Sequence, residues 1–163
     1  MVVVGIDPGT ARTGYGFVRL NPQGNLEVVS YGVIETQAHI APEKRLQQLF
    51  IQLTHLLLLH RPSSAAVEKL FFQRNVSTAI AVGQARGVAL LCLADAGLEV
   101  AEYTPLEVKQ AVVGYGSAEK VQVQQMVRAL LGLAVIPRPD DAADALAVAI
   151  CHLHSSAWKA MQG

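Results

Sequence analysis

The sequence has few cysteines and no pattern of secretion. Only two of the 163 residues are cysteine, and both Cys92 and Cys151 lie inside apolar stretches. Two such thiols cannot supply the disulfide framework of a small secreted protein, and no signal or transit peptide pattern opens the chain. We therefore expect a protein of the reducing cytoplasm.

The sequence also lacks net charge and a long apolar run. Its 13 basic and 13 acidic residues cancel, so overall charge does not indicate a nucleic-acid partner, whose phosphates would favour a cationic face. The longest apolar run, 88–94, is far shorter than the roughly 20 residues that span a bilayer, so no membrane role is expected. Hydrophobic residues, in contrast, make up 52% of the chain. This composition predicts a single well-packed domain over residues 1–163.

The order of predicted elements indicates the fold class. Three β-rich segments between residues 2 and about 36 are joined by short turns, which predicts an antiparallel meander. Apolar periodicity then predicts a helix between Pro42 and Pro62, followed by a short buried strand at 65–67. A long helix capped by Asn75 and a strand at 99–103 come next.

Further helices are expected to follow the fifth strand. Thr104 begins a capping box, Ser117 caps a second helix, and Asp140 caps a last helix that ends near His154. The whole order predicts an α/β fold: a five-stranded mixed sheet, with three antiparallel and then two parallel strands, covered by helices on both faces. A ribonuclease H-like fold has this order.

Four acidic residues occupy unfavourable positions for a charged carboxylate: two lie beside buried strands, and two share one helix face. Asp7 and Glu68 each directly follow an apolar strand, at the rim of the predicted core. Asp141 and Asp144 are three residues apart on one face of the last helix. We call these four residues the carboxylate cluster. Their mutual repulsion would raise their pKa values unless a cation were bound, and oxygen-only ligands favour magnesium or manganese over zinc.

Each acid also has a simpler explanation. Asp141 and Asp144 could favour the helix dipole, and Asp7 before Pro-Gly could form a turn. Glu68 ends a buried strand and has neither of these duties, so it is the most informative of the four.

Five segments of the chain resemble the RuvC family of Holliday-junction resolvases. They occur in the family's order and at its separation, and span nearly the whole chain: residues 5–10 (GIDPGT), 66–68 (AVE), 83–87 (GQARG), 108–110 (VKQ) with 116–120 (GSAEK), and 141–147 (DAADALA). The resemblance implies a ribonuclease H-like homodimer that makes paired incisions in two like-polarity strands at a four-way DNA junction.

The resemblance also assigns chemistry to the carboxylate cluster. It implies that the four acids are metal ligands, although some relatives have histidine at the position of Asp141. Two Mg²⁺ ions per site, for which Mn²⁺ could substitute, would activate water and stabilise the departing 3′ oxygen. The expected products carry 5′-phosphate and 3′-hydroxyl ends.

Candidate DNA contacts come from the same resemblance. An aromatic residue at the position of Phe71 is expected to stack on an unpaired base. Phe72, which departs from the family pattern, and Arg74 are candidate contacts because aromatic rings and cations cluster just after Glu68. Lys109 and Lys120 are expected to contact phosphates. Phe72 could instead pack in the core, and either lysine could be a solvated surface residue.

Partners are predicted from the long helix and from the family. Gly83 and Gly87 would allow close helix packing, either within the chain or in a homodimer through the 75–97 helix. The family also implies a branch-migration motor complex of the RuvA and RuvB type.

Cys151-His152-Leu153-His154 lacks the spaced pairs of a zinc site and is interpreted as an ordinary helix end.

Two other functions remain open at this stage. An ATP-binding domain of the actin and sugar-kinase type shares the fold and the Asp-x-Gly-Thr turn at 7–10. It would need a second domain and further glycine-rich loops, which this sequence does not show. A non-catalytic junction-binding module would be expected to have lost one of the four acids.

Overall fold

A computed structural model describes residues 1–70 and 76–163 of the chain. They form a sheet with helices on both faces. In chain order the elements are β1 (Val2–Asp7), β2 (Arg12–Leu20), β3 (Leu26–Glu35), α1 (Pro42–His60), β4 (Ser64–Glu68), α2 (Val76–Asp95), β5 (Val100–Tyr103), α3 (Pro105–Val113), α4 (Lys120–Leu130) and α5 (Asp140–Gln162).

The sheet has five strands in the order β3-β2-β1-β4-β5. β1, β2 and β3 pair antiparallel, as their short connections require. β4 runs parallel to both of its neighbours, β1 and β5, and the chain returns from β4 to β5 through α2. The predicted mixed sheet, with three antiparallel and then two parallel strands, is confirmed.

Successive residues of the central strands are buried in different cores. Val3 and Val18 lie in one core with residues of α3, α4 and α5. Val4 and Phe17, one position along each strand, lie in the other core with residues of α1 and α2. The alternation follows from the two-residue period of a strand, which sends neighbouring side chains to opposite faces.

Helix α5 lies unusually close to β1 and β2. A Cβ atom on Gly5 would overlap the carbonyl oxygen of Ala145 and lie 2.6 Å from the amide nitrogen of Ala149. A Cβ atom on Gly14 would overlap the carbonyl oxygen of Asp141. Glycine is therefore required at these two strand positions by the closeness of the helix backbone. This packing holds the first turn of α5 beside the end of β1.

The start of α4 differs from the prediction. The helix begins at Lys120, after the N-cap residue Glu119, and is not capped by Ser117. The Glu119 backbone N–H donates a hydrogen bond to the Gln122 side-chain oxygen at 2.7 Å, which satisfies one of the free donors of the first turn. Lys120 is consequently the first residue of α4, whereas a cap at Ser117 would have made it the third.

The last helix is also longer than predicted. Asp140 is its first residue, not its cap, and the helix continues past His154 to Gln162. No glycine or proline interrupts residues 140–162, so no helix-breaking residue occurs before Gly163. The fifth strand begins at Val100, one residue later than expected.

Helix α2 leaves an apolar face uncovered by the described residues. Five exposed positions recur at three- and four-residue steps and form what we call the α2 stripe: Val76, Ile80, Gly83, Gly87 and Leu91. A Cβ atom on Gly83 or Gly87 would meet nothing within 4 Å, so the described residues of the chain do not pack there. By length and composition alone, Thr78–Asp95 could cross a membrane, and 22% of that segment is buried. An exposed apolar face of this kind is typical of interaction surfaces.

Replacing Gly5 by alanine tests the close packing of α5. The new methyl group would meet helix backbone, which cannot move aside as a flexible side chain can, so we expect a loss of about 1 to 3 kcal/mol in the free energy of unfolding. Urea unfolding followed by circular dichroism measures it. Gly163→Ala is the matched control: it adds the same methyl group at the last residue, where the nearest atom is 3.8 Å away, and we expect a change of less than about 0.5 kcal/mol. Equal stability of Gly5→Ala and the parent protein would contradict the packing argument.

Candidate active site

Asp7 and Glu68 lie side by side at one edge of the sheet. Each is the last residue of its strand, whereas the sequence suggested that each directly follows its strand. β1 and β4 are parallel neighbours, and Ile6 pairs with Val67, so the next residues of the two strands are adjacent. Both carboxylates therefore lie at the same end of the sheet, where β1 and β4 finish.

Helix α5 adds the other two acids at this edge. Asp141 and Asp144 are both half-buried and lie three residues apart, on neighbouring turns of one face. The backbone of Asp141 lies against Gly14, and Gly14 pairs with Asp7 across β1 and β2. The two glycine contacts of α5 thus bring its first turn to the strand that carries Asp7, and the four members of the carboxylate cluster meet at one place.

The electrostatics of Asp7 show how costly this arrangement is. Burial, followed by the negative charges of Asp144, Glu68 and Asp141, raises the pKa of Asp7 from 3.8 to about 8; Lys120 opposes this change. An ionised carboxylate at this position is therefore unfavourable unless a cation compensates it.

Two other members of the cluster show the same tendency. Burial and the charge of Asp144 raise the pKa of Glu68, against the lowering effect of Lys109 and Lys120. Burial also raises the pKa of Asp144, which Lys120 counteracts. Two lysines thus partly neutralise the cluster but leave an excess of negative charge.

The four side chains lie near one another but do not surround a single point. Among residues 1–70 and 76–163, no three histidine, cysteine, aspartate or glutamate side chains lie close enough together to hold an ion as they stand.

A groove next to the cluster brings the two predicted lysines to it. The groove has a volume of about 250 Å³ and is lined by Glu68, Lys109, Lys120 and Asp144, together with apolar residues of α3, α4 and α5. Lys120 lies 3.9 Å from a carboxylate oxygen of Asp144. The structure therefore places both cations beside the acids.

Lys120 is held in this position by Asp140. Its Nζ atom lies 3.2 Å from Asp140 Oδ2, and this contact raises the pKa of Lys120. Asp140 also accepts hydrogen bonds from Arg138 at 2.8 Å and Gln124 at 3.2 Å. The sequence suggested that Asp140 caps α5, but its carboxylate instead links α5 to α4 and orients a lysine of the groove.

Three predicted DNA contacts cannot be placed. Phe71, Phe72 and Arg74, with the proposed helix cap Asn75, lie outside the described residues. The described chain stops at Leu70, two residues after Glu68, and resumes at Val76, the first residue of α2.

His152 is a residue whose surroundings the sequence did not indicate. It is 8% exposed and hydrogen-bonded to Ser64 and Tyr103, at 2.9 Å in both cases. The interpretation of 151–154 as an ordinary helix end is therefore wrong: these residues lie well inside α5. Because the two partners of His152 are 88 and 49 residues away along the chain, no local pattern could have indicated them.

Comparisons with known proteins agree with this geometry. A family model described as crossover junction endodeoxyribonuclease RuvC matches residues 3–152. The crossover junction endodeoxyribonuclease RuvC of the bacterium Heliobacterium modesticaldum is 60% identical over 97% of this chain and 97% of its own length. Both comparisons extend across all four acids.

Solved structures give the same result for the fold. The chain superposes on Thermus thermophilus RuvC with a TM-score of 0.90 at 37% identity, covering 98% of this chain and 97% of that one. For T. thermophilus RuvC in complex with Holliday junction substrate, the TM-score is 0.89 at 35% identity, with coverages of 97% and 96%. The predicted ribonuclease H-like fold is confirmed.

The raised pKa of Asp7 predicts a pH dependence of stability in the absence of metal. A carboxyl group with a higher pKa in the folded state takes up a proton on folding at intermediate pH, so its contribution favours folding at low pH. Stability is then lost as the pH rises from about 4 to about 8, by at most ~1.4 kcal/mol per unit. In chelator, Asp7→Asn should therefore unfold at a higher temperature than the parent protein at pH 8, with little difference at pH 4.

Asp140→Asn is the control for this measurement. The pKa of Asp140 is lowered by its hydrogen bond to Lys120, so its replacement should not stabilise the protein at neutral pH. A melting-temperature gain in both variants, or in neither, would show that the burial and repulsion of Asp7 are not the cause.

Proposed function

The chain belongs to the RuvC family of crossover junction endodeoxyribonucleases, and we propose that it resolves four-way (Holliday) DNA junctions with divalent metal ions held by the carboxylate cluster. It would nick two strands of like polarity and leave 5′-phosphate and 3′-hydroxyl ends. The observation that carries the proposal is the meeting of four acids, one with a pKa raised to about 8, beside a groove that contains two lysines.

The chemistry of the cluster fits a hard divalent cation. Its donors are all carboxylate oxygens, which suit Mg²⁺ and Mn²⁺. Burial and mutual repulsion raise the pKa values of Asp7, Glu68 and Asp144, so a cation would relieve a cost that the protein otherwise bears. We propose Mg²⁺, two ions per site, with Mn²⁺ as a substitute.

The residues of the site would have different roles in metal binding and in DNA binding. Bound Mg²⁺ supplies a nucleophile at neutral pH and stabilises the charge of the leaving oxygen. Asp7 lies between Glu68 on one side and the first turn of α5 on the other, so it is the acid best placed to serve both ions. Lys109 and Lys120 would hold phosphates of the cut strand in the groove. We assign Phe71, Phe72 and Arg74 to the unpaired bases and backbone near the branch point.

Two alternatives are disfavoured. The family match covers residues 3–152 of the chain, which argues against an ATP-binding domain of the actin and sugar-kinase type. The presence of all four carboxylates, brought to one place, argues against a module that only binds junctions.

We also propose that the protein works as a homodimer through α2. The α2 stripe is exposed, apolar and glycine-containing, so two such helices could approach closely. Two-fold symmetry would set two identical sites against two symmetry-related strands. The proposal extends to a cytoplasmic location and to cooperation with a branch-migration motor of the RuvA and RuvB type, which would supply the junction.

Cutting of a labelled four-way junction tests the activity. The protein should make symmetric nicks in the junction with Mg²⁺, none in chelator, and few in a linear duplex of the same sequence. Asp7→Asn should bind the junction but cut it at least about 100-fold more slowly, because both ions lose a charged ligand. Ligation of the products by DNA ligase checks the nature of the ends.

Glu27→Gln is the matched carboxylate-to-amide control for this assay. Glu27 pairs with Arg19 on the exposed β2–β3 hairpin, and its replacement should leave the cutting rate unchanged. Undiminished cutting by Asp7→Asn would exclude the proposed role of the cluster, and ATP hydrolysis without cutting would favour the kinase-like alternative.

A charge on the α2 stripe tests the dimer. Ile80 is 60% exposed on the stripe and Ile51 is 59% exposed on α1, so the same substitution can be compared at equal exposure. Ile80→Asp should convert a dimer to monomers in analytical ultracentrifugation and abolish paired nicking, whereas Ile51→Asp should remain dimeric. A dimer that survives Ile80→Asp would mean that the chains associate through another surface.

A further inference from the structure

His152 connects α5 to two strands of the sheet by hydrogen bonds at both ring nitrogens. Ser64 Oγ lies 2.9 Å from His152 Nε2, and Tyr103 Oη lies 2.9 Å from His152 Nδ1. Ser64 is the first residue of β4 and Tyr103 is the last residue of β5. Because the ring is almost fully buried, breaking either contact would leave a polar group without water to replace its partner.

The elements that this network joins also carry acids of the cluster. Glu68 follows Ser64 by four residues on β4, a distance of about 13 Å along a strand. Asp144 precedes His152 by eight residues on α5, a distance of about 12 Å along a helix. β4 and α5 run in opposite directions. Ser64 therefore contacts His152 at one end of the pair, and Glu68 lies near Asp144 at the other end.

The interaction between β4 and α5 is repulsive at one end and attractive at the other. Glu68 and Asp144 repel each other because both are acidic and partly buried. The Ser64–His152 contact attracts the same two elements. Tyr103 adds to it from β5, where it pairs directly with Glu68 in the strand register.

We propose that His152 is a positioning residue for the metal site: in addition to the packing of α5 on Gly5 and Gly14, its contact with Ser64 fixes α5 along β4 and thereby keeps Asp144 opposite Glu68. A slip of α5 by one helical turn would be about 5.4 Å, which would remove Asp144 from the reach of an ion held by Glu68. Even a displacement of about 1 Å at a reacting centre can cost about 100-fold in rate. His152 itself contacts neither metal nor DNA in this scheme.

The chemistry of the ring allows a specific test, which rests on the function proposed above. Glutamine places an amide near the position of Nε2 and can keep the contact with Ser64. Asparagine reaches only the position of Nδ1 and can keep only the contact with Tyr103. Mg²⁺ affinity measured by calorimetry in the absence of DNA should fall 10-fold or more for His152→Ala and His152→Asn, and much less for His152→Gln.

Cutting and junction binding distinguish positioning from a general loss of structure. His152→Asn should lower kcat 10-fold or more, while junction binding in chelator changes less than twofold. Ser64→Ala removes the same contact from the strand side and should act in the same direction. Ile34→Val, a truncation in the core on the opposite face of the sheet, is the control for lost stability and should leave Mg²⁺ affinity unchanged.

Each outcome separates this inference from the proposed function. Normal Mg²⁺ affinity and kcat in His152→Asn and Ser64→Ala, with a wild-type protein that binds Mg²⁺ and cuts, would overturn the positioning role alone. Equal losses in His152→Gln and His152→Asn would overturn the role of the Ser64 contact. A wild-type protein that neither binds Mg²⁺ nor cuts junctions would overturn both the function and the inference.

Discussion

The close contact between α5 and the two strands β1 and β2 is the constraint on which the site depends. Gly5 and Gly14 have no side chain, and the backbone of α5 occupies the space that a Cβ atom would need. The sheet supplies Asp7 and Glu68, and α5 supplies Asp141 and Asp144, so the cluster forms only because helix and sheet meet at backbone distance. The apolar cores on the two faces of the sheet provide the free energy that holds this arrangement together.

That free energy has to offset the repulsion that the site creates. Three of the four acids have raised pKa values, and the two lysines of the groove neutralise them incompletely. A phosphodiester that enters the groove would bring further negative charge to the acids. In the proposed function the cluster and the lysines are complementary: the acids would hold metal, and the lysines would favour the approach of the nucleic acid.

Most of the fold was predictable because its signals are local. The short turns of the meander, the capping box at Thr104 and the apolar periodicity of α1 each specify an element within a few residues. Asp7 and Glu68 were recognisable because a carboxylate that ends a buried strand is unusual. The start of α4 was predicted wrongly because Ser117 is the favoured cap by residue type, whereas the helix begins after Glu119, whose backbone N–H donates to the Gln122 side chain. His152 and the pairing of Lys120 with Asp140 could not be predicted because they join residues far apart along the chain.

The two cysteines lie in different cores. Cys151 belongs to the core between the sheet and α5, and Cys92 belongs to the core between the sheet and α2; both are free and buried. Burial raises the pKa of both thiols, so they react slowly until the surrounding core opens. Each face of the sheet thus has one buried thiol that reacts with a labelling reagent only when its core unfolds locally. A comparison of the labelling rates of Cys92 and Cys151 would show whether the two cores unfold together or separately.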